Sequence, residues 1–151
     1  MCGEAKAKLA VPPMLMFHRI ITINIHAGHS SIGLIEAGLH IKEDLCYLDC
    51  HFINDPVMPG CLGLDAMWQL VGFFLGWDGN PGKGRALGVA EVKFTGEVTQ
   101  DITLAKYVIH MKKIMKKGET SVGLADGMLL ADNKEIYKAK NLKVGLFKGG
   151  Q

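Results

Sequence analysis

His51 precedes a loop punctuated by Pro56, Pro59 and Gly60, and the loop feeds an almost wholly apolar segment, Leu62 to Trp77, that carries one carboxylate, Asp65. Imidazole is the side chain whose ordinary proton exchange lies nearest neutral pH, so a histidine at such a loop is a candidate base. Pro59 and Gly60 permit a tight turn into a helix. The amides near Gly60 and Cys61 then have no intrahelical acceptor, which makes an anion site. A thioester carbonyl becoming an enolate would be stabilised there. Asp65, Trp68, Gln69, Gly72 and Phe73 follow helical spacing and share one face, so Asp65 meets Gln69 beside aromatic rings. Burial among them would raise the carboxyl pKa and suit Asp65 to donate a proton. An imidazole, a helix N-terminus and a carboxylate in apolar surroundings are the parts of acid–base chemistry on a carbonyl compound.

Each residue also has a plainer reading. A lone histidine is more often structural than catalytic. Asp65 could serve only the helix dipole, as a first-turn residue. Cys46, Cys50, His51 and Cys61 fit no zinc-ligand spacing, so no metal is expected. Gly79-Asn80-Pro81-Gly82-Lys83-Gly84 has the look of a phosphate loop, but Gly84 stands where that motif needs Ser or Thr. The run Lys112-Lys113-Ile114-Met115-Lys116-Lys117 is a solvated strand end or a dock for an acidic carrier protein.

Positioning such a site takes a core. The chain has 151 residues, the size of one domain, and 48% of them are apolar. A mean hydropathy of +0.17 points to apolar surface buried between subunits. The net charge of +2 gives no global pull toward nucleic acid. The four cysteines match no disulfide framework and read as reduced thiols of a cytosolic protein. Residues 1–10 lack the apolar stretch of a signal peptide, and Leu62 to Trp77 is too short to span a bilayer comfortably.

Ile21, Ile23 and Ile25 alternate within a strand expected over Met14 to His26. Gly28-His29-Ser30 reads as a turn, Ile32 to Ile41 as a second strand, and Glu43 to Cys50 as either a short helix or a loop. Leu62 to Trp77 is apolar all round, the mark of a buried helix, and Gly76 with Asp78-Gly79-Asn80-Pro81-Gly82 ends it. Four extended segments follow: Ala86 to Val98, Leu104 to Met115, Ser121 to Ala131 and Ile136 to Phe147. Short turn-prone connections make them antiparallel neighbours. The order predicts an α+β fold, an antiparallel sheet curled around one helix. Residues 1–13 read as a tail and 14–151 as a single domain.

The motif from His51 through Gln69, continuing as Leu70-Val71-Gly72-Phe73-Phe74-Leu75-Gly76-Trp77, resembles the bacterial 3-hydroxydecanoyl-acyl carrier protein dehydratase/isomerase family. So do Gly82-Lys83-Gly84-Arg85-Ala86-Leu87-Gly88-Val89, Glu91-Val92-Lys93-Phe94-Thr95-Gly96, Gly123-Leu124-Ala125-Asp126-Gly127 and Leu142-Lys143-Val144-Gly145-Leu146-Phe147. The resemblance runs from about Pro13 to Phe147. It implies the hot-dog fold, an antiparallel β-sheet wrapped around a long central helix, and homodimers with active sites at the interface. His51 of one subunit would face Asp65 of the other. His51 would be the base. Asp65, aided by Gln69, would handle the departing hydroxyl. The Gly60 amide, beside Cys61, would donate to the thioester oxygen, and the Val57 carbonyl would orient His51. Aspartate at position 65, where sister dehydratases carry glutamate, implies isomerase activity.

The implied reaction is dehydration of a (3R)-3-hydroxyacyl group of about ten carbons on acyl carrier protein, giving the trans-2-enoyl thioester and then its cis-3 isomer. No cofactor is implied, the setting is cytoplasmic, and no nucleic acid or membrane takes part. Lys112, Lys113, Lys116, Lys117 and Lys143 would meet the carrier, and Met67, Phe73 and Phe74 would line a tunnel for the acyl chain. Two rivals stand beside this: a hot-dog thioesterase and a non-catalytic acyl-carrier binding module. The chain departs from the family pattern at Asn54, where glycine is expected, at His18, where aspartate is expected, and in a short, His-rich stretch over 26–31. Its N-terminal region is also shorter.

Overall fold

Helix α1 (Gly60–Trp77) is buried along the face it turns to the sheet, where Ala66, Met67, Leu70, Val71, Phe74 and Leu75 are each at most 1% exposed, while Leu64, Trp68 and Phe73 are half-buried and Trp77 is 49% exposed. The structure, a computed structural model, describes residues 9, 10, 12, 14–42, 45, 48 and 50–148. The helix begins at Gly60 rather than the expected Leu62, because Leu62 N–H already donates back to Pro59 O at 3.0 Å. The first turn therefore holds no acidic residue, and Asp65 falls in the second turn. The plainer reading of Asp65, as a first-turn residue favoured by the helix dipole, loses its footing.

Among the described residues seven strands wrap α1: β1 (Arg19–Asn24), β2 (Leu34–His40), β3 (Lys83–Gly88), β4 (Glu91–Phe94), β5 (Leu104–Lys117), β6 (Thr120–Ala131) and β7 (Lys134–Phe147). They form one antiparallel sheet in the order β1-β2-β5-β6-β7-β3, with β4 also pairing β7. This is the hot-dog fold. The segment expected as one strand over Ala86 to Val98 is two, β3 and β4, so five strands follow the helix and not four. The break falls after Gly88, just past a register shift against β7 between Ala86 and Gly88, and Val98 leaves the sheet to accept from Met58 N–H at 2.8 Å. The first strand is also shorter than expected, since Met16 and Phe17 turn into the core instead, at 2% and 4% exposure. Leu48 and Cys50 are helical, and Leu9 packs against the core. The other parts of the expected tail and of Glu43 to Cys50 fall largely outside the described residues.

Strand β6 shows how the sheet admits the helix. Its burial alternates without a break, and the inward residues Ser121, Gly123, Ala125 and Gly127 are small where α1 crosses. A Cβ on Gly127 would meet Ile109, Leu142 and Met67 at 2.9–3.0 Å, so only glycine leaves room. Curvature comes from register shifts on both sides of Asp126, after Met111 on β5 and between Ala125 and Gly127 against β7. Asp126 ties them together: its Oδ1 accepts from Asn141 N–H at 3.0 Å and from Lys112 Nζ at 3.4 Å, and Lys112 also donates to Asn141 Oδ1 at 2.6 Å. Asp132 and Asn133, at φ 45° and 71°, close the β6–β7 hairpin in the left-handed geometry these residue types tolerate. Among the described residues no helix is long and apolar enough to cross a membrane.

Candidate active site

His51 leaves the helical residues before it and enters a tight turn. Phe52 and Asp55 exchange backbone hydrogen bonds of 2.9 and 3.0 Å, and Asn54 between them takes φ 60°. That is the left-handed region, which glycine enters freely and asparagine best among the rest. The departure from glycine at position 54 thus keeps the turn. Val57 N–H then donates to His51 O at 2.8 Å, while His51 Nδ1 lies 2.9 Å from Val57 O. A carbonyl can only accept, so Nδ1 carries the proton and the neutral ring presents its lone pair at Nε2. The ring is half-buried and stacks on Phe52 at 4.0 Å. The loop is anchored from behind, through a bridge between Val57 and Thr99 and the Met58 N–H bond to Val98. Its tip, Phe52 and Ile53, is 56% and 81% exposed.

Among the described residues no side chain caps the N-terminus of α1 at Pro59. Phe94 lies over it, close enough that a Cβ on Gly60 would stand 2.9 Å from the ring. Phe94 in turn meets Tyr137 edge to face at 4.7 Å. Burial first, then Glu97 and Cys61, push the Tyr137 phenol up to about 12, so it stays protonated beside the helix start. Period-two patterning put Phe94 and Tyr137 on strands but gave no sign that they meet at Gly60. Cys61 is exposed beside them.

One turn further along α1, Gln69 Nε2 donates to Asp65 Oδ2 at 2.5 Å and to Met14 O at 3.1 Å. The first contact is the i, i+4 pairing the sequence predicts. The second, which nothing in the sequence signals, clamps the segment before β1 onto the helix. Gln69 Oε1 is buried with no hydrogen-bond partner among the described residues. Trp68 anchors the neighbouring face by donating to Gly88 O at 3.0 Å. Within one chain His51 and Asp65 are not hydrogen-bonded to each other; each is held by its own local partner.

The lysines separate into two groups. Lys113 and Lys143 flank Leu124 across β5, β6 and β7, and Lys116 and Lys117 are exposed at the end of β5. Lys112 is instead half-buried and engaged with Asn141 and Asp126. His18, the other departure, accepts from His40 N–H through Nδ1 at 3.2 Å, a role an aspartate oxygen could also fill. Among the described residues no cluster of His, Cys, Asp and Glu could hold a metal ion.

Solved structures share this architecture at low sequence identity. A chain of the dehydratase heterocomplex ApeI:P from Xenorhabdus doucetiae superposes with a TM-score of 0.68 at 14% identity, over 94% of this chain and 88% of that one. An uncharacterized protein from Pyrococcus horikoshii gives 0.61 at 10% identity, over 91% and 88%. A putative thioesterase from Shewanella oneidensis gives 0.54 at 10% identity, over 76% of each chain. At these identities the likeness is one of fold. The sequence itself carries the assignment: a model described as the FabA-like domain matches residues 9–140, and the chain belongs to that family.

Proposed function

We propose that the protein is a 3-hydroxyacyl-thioester dehydratase that acts on (3R)-3-hydroxyacyl groups of about ten carbons carried by acyl carrier protein, and that it also isomerises the trans-2-enoyl product to cis-3. The observation that carries this reading is the His51–Val57 contact of 2.9 Å, which fixes the tautomer with Nε2 free, in a loop that runs straight into the uncapped start of α1. His51 Nε2 takes the proton from C2 of the substrate. The charge moves onto the thioester oxygen, which the Gly60 amide and the helix terminus stabilise. The C3–O bond breaks, Asp65 passes a proton to the departing hydroxyl, and water leaves. In the isomerisation a proton leaves C4 and another returns to C2. The chain's own residues supply every proton transfer.

The two halves meet in a homodimer, with His51 facing Asp65 of the partner subunit. Two features support this. Strand β3 ends the sheet with an open edge, and Leu87 and Phe94 beside it are 46% and 52% exposed. Among the described residues His51 and Asp65 also make no hydrogen bond to each other. The exposed Lys113, Lys116, Lys117 and Lys143 fit an acidic carrier. The thioesterase reading has in its favour the Shewanella oneidensis likeness alone. Product analysis with 3-hydroxydecanoyl thioester separates the readings. Enoyl thioester, with trans-2 and cis-3 resolved by chromatography, supports the dehydratase. Free thiol makes the protein a thioesterase, and unchanged substrate makes it a binding module.

A further inference from the structure

The short His-rich stretch between β1 and β2 has no part in the chemistry above, yet it is bound to the sheet by an unusual contact. From Ile25 to Gly33 the chain forms a strap with internal bonds from Ser31 N–H to Gly28 O (3.1 Å) and from Gly33 N–H to Ala27 O (2.9 Å). At its root, Gly33 O accepts from Met111 N–H at 2.9 Å, and a Cβ on Gly33 would clash with Phe74 of α1. At its tip, His29 lies flat on His110 of β5, with ring centroids 3.6 Å apart and planes 12° apart. The backbone N–H of His29 donates to His110 Nδ1 at 3.3 Å. Gly28, at φ 92°, brings the backbone this close, and a Cβ there would meet Gly33 O at 2.4 Å.

This contact works in one protonation state only. Nδ1 of His110 must be bare to accept the His29 amide, and two imidazoles face to face at this distance tolerate each other only while at least one is neutral. We propose that the His29–His110 pair is an acid-sensitive latch, which holds the strap over the outer face of the sheet and releases it when His110 takes up a proton.

The surroundings decide the direction. Burial first, then His29, hold the His110 imidazole below the ordinary histidine value, while Asp126 of β6 and Glu36 of β2 pull the other way. Asp126 is committed to Lys112 and Asn141, and Glu36 lies 3.5 Å from Lys106, which blunts both carboxylates. On β4, Lys93 pairs with Glu91 at 3.5 Å. Lys138 and Lys140 of β7 remain on the same cleft, of about 440 Å³, and disfavour a further cation there. His110 thus binds fewer protons in the latched state than when released, where it returns toward about 6.5. The latched state is favoured above that value and loses ground as the pH falls through it. Release opens one wall of the cleft, since His29 is part of it, and loosens the cover over Phe74.

Hydrogen exchange of the strap, read by mass spectrometry over residues 25–33 between about pH 8 and pH 5 and corrected for intrinsic rates, tests the latch independently of the chemistry at His51. Protection in the wild type should fall as the pH drops over that range, while peptides from β6 stay unchanged. His110→Phe keeps a ring to stack on but removes the acceptor and the titration, so its strap should exchange fast at both ends of the range. His29→Phe keeps the amide donor and the stack but removes the second charge, so its strap should stay latched at high pH and release less in acid. A wild-type strap whose protection is flat in pH, a full pH response in His110→Phe, or an undiminished one in His29→Phe overturns the proposal.

Discussion

Replacing His51 with alanine separates a catalytic histidine from a structural one, because the structure bounds what the fold can lose. The side chain is half-buried, makes one hydrogen bond, to Val57 O at 2.9 Å, and stacks on a Phe52 ring that is itself 56% exposed. The bond is worth about 0.5–1.5 kcal/mol, and the stacked pair about as much at most. Val57 is only half-buried, so a large desolvation penalty for the carbonyl left behind is not expected. His51→Ala should therefore fold, with a stability loss of about 1–3 kcal/mol. Loss of a general base should cost on the order of 10²–10⁴ in rate, which is about 2.7–5.5 kcal/mol of transition-state stabilisation. The assay pairs thermal unfolding of the purified variant with dehydration of the N-acetylcysteamine thioester of 3-hydroxydecanoate, followed by enoyl absorbance. His51→Gln adds a control, since its amide can still donate toward Val57 and should recover stability without recovering rate. A folded His51→Ala protein turning over within about tenfold of wild type, below the range expected of a lost base, would refute the reasoning.

Asp65→Asn should fold and be nearly inactive, since the amide keeps the contact with Gln69 but cannot exchange a proton; equal turnover in variant and wild type would return Asp65 to a structural role. Mixing His51→Ala subunits with Asp65→Asn subunits should restore activity, because each mixed dimer holds one intact site, and light scattering that finds a stable active monomer would defeat the composite site. Gly127→Val should destabilise by about 1–3 kcal/mol because Ile109, Leu142 and Met67 already stand 2.9–3.0 Å from the missing Cβ; an unchanged unfolding midpoint would mean the sheet yields at β6 without cost. Lys113→Glu with Lys116→Glu should raise the apparent KM for carrier-bound substrate in a salt-dependent way and leave the small thioester untouched, whereas equal losses on both substrates would remove the carrier from these lysines. Lys112 is left out of that pair because it is engaged with Asp126 and Asn141.

Period and turn chemistry made much of the fold legible. The all-round apolar run gave the buried helix. Alternation gave β5, β6 and β7 to within a few residues, and Asp132-Asn133 marked a hairpin that its left-handed dihedrals explain. What the sequence hid lies where tertiary contacts override local pattern. Met16 and Phe17 read as strand because they are apolar and adjoin Ile21, yet they are drawn into the core, and Gln69 reaches across to Met14 O to hold that segment there. The strand over Ala86 to Val98 divided because its two halves pair different stretches of β7, Lys143 to Phe147 for β3 and Tyr137 to Lys140 for β4, and its end goes to the His51 loop through Met58. Lys112 read as one of the lysines that would meet a carrier, or as part of a solvated strand end, and only the bulges beside Asp126 bring it to Asn141.

The same distinction explains why the candidate site reads as two halves. His51 and Val57 are six residues apart and Asp65 and Gln69 four, so each pair is assembled by a turn or a helix that the local sequence specifies. Short spacing also makes each pair robust, because it needs no distant element to be in register. How one pair stands to the other is a different matter. In the proposed homodimer it depends on what covers the open edge of β3 and the exposed Leu87 and Phe94, which the spacing within either pair does not specify. In the proposed homodimer, fixing each reacting group locally and leaving their meeting to subunit association would make assembly itself the condition for chemistry. For that reason the mixed-subunit experiment tests the arrangement of the site more directly than any single substitution.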